Sequence, residues 1–172
     1  MALREVIKIP HPTLRRKAHK VHQFDDELRK LAQDMIETMR DEPGVGLAAP
    51  QVNISQRLIV VEYPEDDSVK NAKSKVFILV NPEITTLSDE KVSGIEGCLS
   101  VPNLYGEVER AESVSVRGKN QFGKNIRIEA NGWLARIFQH EIDHLNGVLF
   151  VDRAEKLYKP EDVPVGEHSE LE

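Results

Sequence analysis

Two histidines and a glutamate carry the first chemical signal in this 172-residue chain. His140-Glu141-Ile142-Asp143-His144 reads His-Glu-x-x-His. On a helix, residues four apart share a face, so His140 and His144 can bind one metal ion. Glu141 sits about 100° further round the axis, within reach of a water held at that metal. The chemistry on offer is metal-assisted hydrolysis.

The surrounding helix fits that task. Trp133, Ile137, His140 and His144 fall on one face, and Leu134, Phe138, Ile142 and Leu145 cover the adjoining arc. Only Arg136, Gln139 and Asp143 make a narrow polar strip. A helix this apolar is mostly buried, and two buried histidines with a buried glutamate require partners. A metal supplies them. Asn131 suits the N-cap, and Asn146-Gly147 is a stop signal.

A catalytic metal commonly takes three protein ligands. The single cysteine, Cys98, offers a soft thiolate, although a small buried hydrophobe is the commoner fate of a free cysteine. Glu96 offers a carboxylate instead, as in His-His-Glu sites. Gly44-Val45-Gly46-Leu47-Ala48-Ala49-Pro50-Gln51 is a second stretch of interest. It reads either as a tight buried turn or as a substrate-facing edge with free backbone groups and Gln51 as an amide donor. No Gly-Lys-Ser/Thr follows, which argues against a phosphate loop.

Composition bounds the rest. Forty per cent hydrophobic and thirty per cent charged residues describe an ordinary globular domain. A net charge of -6 argues against general nucleic-acid binding. There is no long apolar run for a membrane span and no signal-peptide core at residues 1–6. His11, His19 and His22 lie among basic residues without a shared spacing and read as solvated. Asp25 to Arg40 shows the clearest helical periodicity, through Leu28, Leu31, Ala32, Met35, Ile36 and Met39. Leu58–Val61 and Val76–Val80 are strand-length apolar runs, the second ended by Asn81-Pro82. Ser113–Arg117 and Ile126–Glu129 alternate about a turn, a hairpin that feeds the His-Glu-x-x-His helix. Residues 156–172 form a polar tail expected to be mobile.

Taken together, Gly44–Gln51, Glu96-Gly97-Cys98-Leu99-Ser100 and Gln139–His144 resemble the three signature motifs of the peptide deformylase family, in order and at matching spacing. The similarity runs from about residue 3 to about residue 155. It implies a catalytic domain over residues 1–155 of the α+β class, with mostly antiparallel sheets packed around a central metal-binding helix and an N-terminal helix. It implies removal of the formyl group from the N-terminal formyl-methionine of nascent chains. The ligands would be Cys98, His140 and His144, holding Fe2+ or alternatively Zn2+, Ni2+ or Co2+. Glu141 would be general base and acid, with Gln51 and the Leu99 N–H on the oxyanion. Gly46 would offer backbone contacts, and Arg110 aligns with a family arginine near the site. Helix phase adds Val45, Trp133 and Ile137 as the wall of a methionine slot.

Two departures stand out: Ile95 where many members are acidic, and Arg136 where some are apolar, at the rim of that slot. Some bacterial members end in an amphipathic helix that docks on the ribosome; the tail here is acidic and contains proline, so that contact is not expected. A cytoplasmic bacterial setting is expected, or an organelle if a transit peptide has been removed. Two other readings compete: a His-Glu-x-x-His zinc peptidase using Glu96, and a non-catalytic metal-binding relative.

Overall fold

A computed structural model of the chain describes residues 2–164. The leading segment is largely extended, with a 3-10 turn at Pro12–Arg15. Helix α1 spans Asp26–Asp41, and Asp25 caps it by accepting from the Leu28 N–H. Its apolar stripe is buried, as the periodicity requires.

The strands follow in chain order: β1 Gly46–Ala48, β2 Leu58–Tyr63, β3 Lys75–Leu87, β4 Lys91–Cys98, β5 Val101–Ala111, β6 Ser113–Lys119 and β7 Asn125–Asn131. Helix α2 covers Gly132–Leu145, the short α3 Phe150–Arg153, and β8 Lys156–Tyr158. Two sheets form, ordered β1-β2-β3-β6-β7 and β4-β5-β8, with antiparallel pairing throughout. The result is the expected α+β class.

The unbroken apolar run in β2 has a clear cause. Leu58 and Val60 face α1, alongside Met35, Met39 and Leu47. Ile59 and Val61 face α2, alongside Ile137 and Phe138. A strand covered on both faces has no solvent side to alternate with. Helix α2 thus lies against the five-stranded sheet, and its far side meets β5 of the second sheet.

Three expectations need adjustment. Asn81-Pro82 does not end the second run. Asn81 takes a positive φ of 52°, the register shifts between Val80 and Glu83, and β3 resumes to Leu87. This bulge is held from outside the sheet, because the Asn81 amide bonds both the N–H and C=O of Val21. Asn131 holds the N-cap position of α2 as expected, but without the side-chain bond such a residue usually makes, since its Oδ1 accepts from the Ser113 hydroxyl. Finally, the polar tail does not begin at residue 156. Lys156–Tyr158 pair with Tyr105–Glu107 and cover part of the β5 edge. Residues 165–172, the remainder of that tail, lie outside the described residues. No described helix is long and apolar enough to cross a membrane.

Candidate metal centre

His140 and His144 project from the buried face of α2, both almost wholly shielded from solvent. Cys98 ends β4, where the pairing with β5 slips between Glu96 and Cys98. That irregularity brings its sulfur to 3.4 Å from His144 Nε2. Cys98, His140 and His144 each offer a ligand atom, and these atoms lie within 4.8 Å of one another. Thiolate with two imidazoles is a donor set suited to a transition metal. Two buried polar atoms without partners adjoin it, Glu141 Oε1 and His144 Nδ1. The residues present therefore fit a bound divalent metal.

Glu141 packs against the β1 backbone: a Cβ built on Gly46 would stand 2.6 Å from Glu141 Oε2. Only glycine leaves that room. Burial, assisted by the charge of Glu96 and opposed by His140 and Arg110, raises the Glu141 carboxyl to about 7. Burial lowers both imidazoles. At His140 the bonds to Cys98 and Glu96 reverse that effect, whereas His144, facing the charges of His140 and Arg110, stays well below its ordinary value.

Gln51 lies in the 3-10 turn Ala49–Val52. Its Oε1 accepts from the Ala48 N–H at 3.0 Å, which turns Nε2 toward Ser100 Oγ at 3.2 Å and Cys98 Sγ at 3.6 Å. Gly46, Gln51, Gly97, Cys98, Leu99, His140 and Glu141 line one small cavity. Among the described residues β1 pairs only with β2, which makes it an edge strand. Val45 C=O accepts from Glu62 and the Ala48 N–H turns to Gln51, so alternation leaves the Gly46 N–H and C=O pointing away from β2. Of the two readings of Gly44–Gln51 that the sequence left open, the burial of residues 47–52 fits the packed turn, and Gly46 and Gln51 also line the small cavity.

Several residues sit elsewhere than expected. Glu96 is not turned toward the ligand cluster. Its Oε1 accepts from His140 Nδ1 and Arg110 Nη2, both at 2.8 Å, and its Oε2 from Arg110 Nε at 2.7 Å and Arg136 Nη1 at 2.6 Å. Arg110 is buried behind His140 and bonds Asp143 as well, so it is not placed to touch substrate. The charge of a buried guanidinium needs such partners, and two carboxylates supply them. Arg136, Gln139 and Asp143, the narrow polar strip, do not stand apart from the packing. They are the seam between α2 and the second sheet, with Gln139 bonded to the N–H and C=O of Ala111. Val45 and Trp133 are half-buried and pack on one apolar cluster with the fully buried Ile137. None of the three lines the cavity at the ligands. Trp133 instead borders a separate pocket of about 220 Å3, with Val92, Ser93 and Arg136. Sequence reasoning missed the ionic network around Glu96; the isolated arginines on an apolar helix and strand were its only trace.

Known proteins are similar to this chain in sequence and in fold. The sequence profile of the family described as Polypeptide deformylase matches residues 3–160. A peptide deformylase of Desulforudis audaxviator is 45% identical over 92% of this chain and 98% of its own. The crystal structure of peptide deformylase from Thermotoga maritima superposes with a TM-score of 0.81 at 42% identity, covering 90% of this chain and 99% of that one. A class I type b peptide deformylase from Acinetobacter baumannii, with Met-Ala-Ser bound, gives 0.80 at 42% identity, over 88% and 98% of the two chains.

Proposed function

The chain belongs to the peptide deformylase family, and on that footing we propose that Cys98, His140 and His144 hold a divalent metal, most fittingly Fe2+, at the site of deformylation. The protein is an enzyme, a metal-dependent hydrolase that removes the N-formyl group from the N-terminal formyl-methionine of polypeptides and releases formate. The observation that carries the residue assignment is the convergence of the Cys98 sulfur and two imidazoles beside a buried, unpartnered carboxylate oxygen of Glu141.

A metal bound there lowers the pKa of water and polarises the formyl oxygen. The chain's own residues do the rest. Glu141 takes a proton from the attacking water as its oxygen bonds the formyl carbon, and delivers it to the amine as the C–N bond breaks. The raised proton affinity of Glu141 suits a group that must both accept and donate near neutrality. The Gln51 amide and the Leu99 N–H meet the charge that gathers on the formyl oxygen. The peptide backbone lies along the free edge of β1 at Gly46, as an added strand. The methionine side chain lodges beyond the small cavity at the ligands, against the apolar cluster to which the half-buried Val45 and Trp133 and the buried Ile137 contribute.

On this reading nascent chains are the natural substrates, and the enzyme works near ribosomes in the bacterial cytoplasm or an organelle. Residues 1–155 form the catalytic domain, to which β8 adds an edge strand. Anaerobically purified protein should hydrolyse formyl-Met-Ala-Ser in proportion to its metal content. Cys98→Ala should lose both metal and activity; retention of both would sink the ligand assignment.

A further inference from the structure

Arg136 is a full charge buried on the ligand-bearing helix, and deformylation as described gives it no task. Its guanidinium is fixed at three points: Nη1 to Glu96 Oε2 at 2.6 Å and to the Val108 carbonyl at 3.0 Å, and Nη2 to the Val92 carbonyl at 2.7 Å. It lies flat over Gly94, where a Cβ would come within 2.9 Å of Arg136 Cζ. So β4 and β5 together anchor it, and it in turn grips Glu96.

Glu96 is wholly buried, and its four lone-pair sites take four bonds, two per oxygen. One of these holds His140 Nδ1, which leaves Nε2 as the ligand atom. Arg110 grips the carboxylate edge-on with both oxygens. Arg136 loads the oxygen opposite the imidazole. Without it Oε2 keeps a buried, unfilled lone pair, and the carboxylate is free to tilt about the Arg110 fork, carrying His140 with it. His144 offers no compensation, because its Nδ1 has no partner among the described residues. We propose that Arg136 is a positioning residue for the metal site: through Glu96 it fixes the tautomer and aim of His140. The inference rests on the assignment of Cys98, His140 and His144 as ligands.

The competing account makes Arg136 a pin between α2 and the second sheet. Gln139 is such a pin, bonding Ala111 without touching Glu96, and so Gln139→Ala is the control. The probe is Co2+, read by its d–d absorption and by its release to a chelator. Arg136→Met should shift the cobalt band and speed metal release about 10- to 100-fold, the usual cost of losing an outer partner of a ligating histidine. Arg136→Lys should restore part of the loss, since it returns a cation to Glu96 without the fork. Gly94→Ala, which removes no charge but displaces the guanidinium, should move both readouts in the same direction. Gln139→Ala should leave them unchanged while lowering the Tm. If Arg136→Met matches wild type in band and release and differs only in Tm, the proposal is overturned. Should Arg136→Met not fold, unchanged release from both Arg136→Lys and Gly94→Ala overturns it equally. A wild-type chain that takes up no Co2+ would overturn the ligand assignment itself, a distinct failure.

Discussion

Glu141 shows how one residue's environment makes its chemistry. A carboxylate with a buried, unpartnered oxygen is costly to the fold. In the proposed reaction the same group exchanges a proton with the attacking water and the leaving amine. Glu141→Gln keeps the shape and removes the proton chemistry. It should retain metal and lose about 100- to 10,000-fold in kcat, measured on formyl-Met-Ala-Ser. Gly46 is the neighbouring constraint. Gly46→Ala would drive a methyl into the Glu141 carboxylate, and a displacement of this size costs on the order of 100-fold in rate. A normal kcat in that variant would mean that Glu141 has room to move and that its placement is not set by β1.

At the scale of elements, α2 works because it is gripped on two sides. Its apolar face packs on the large sheet, and its polar seam bonds the second sheet. Gln139 satisfies the N–H and C=O of Ala111, so Gln139→Ala would orphan two backbone groups. The expected loss is about 2–4 kcal/mol, a fall in Tm of roughly 4–16 °C for a chain of this size. Thermal melting in the apo form checks this. The helix itself and the β6–β7 hairpin that feeds it were legible in the sequence, because both rest on local periodicity. The continuation of β3 past Asn81-Pro82 was not. The bulge depends on Val21, sixty positions away, and no local pattern encodes that bond.

At the scale of the molecule, the N-terminal segment straps the parts together. Its backbone bonds the carbonyl of Gln51 through Ile7, that of Ser100 through Ile9, and that of Leu145 at the end of α2 through Ala18. Its start is tied to α1, where Asp34 accepts from the Ala2 N–H and from Arg4. Burial alone would raise the Asp34 carboxyl, but these partners outweigh it and hold the group below its ordinary value. A depressed folded-state pKa stabilises above the unfolded aspartate value and is lost as pH falls through the folded value. Asp34→Asn should therefore cost about 1–3 kcal/mol near pH 7. The gap from wild type should close as pH drops below about 4, the unfolded aspartate value. A gap that stayed constant from pH 7 to pH 3 would show that the Asp34 charge contributes nothing to the strap.

The sequence by itself determined the helix that carries His140, Glu141 and His144, α1, the hairpin and, through three ordered motifs, the family. These follow from short-range spacing, which secondary structure converts directly into geometry. Tertiary structure alone decided which way the polar groups face. Glu96 pairs with Arg136 across 40 positions and Cys98 meets His144 across 46. It turned Glu96 from a candidate ligand into the brace of His140, moved Arg110 behind the site, buried the strip of Arg136 and Gln139, and added β8 to the sheet. The physical reason is that a buried charge is placed by the partners that satisfy it, and those partners are contributed by distant strands.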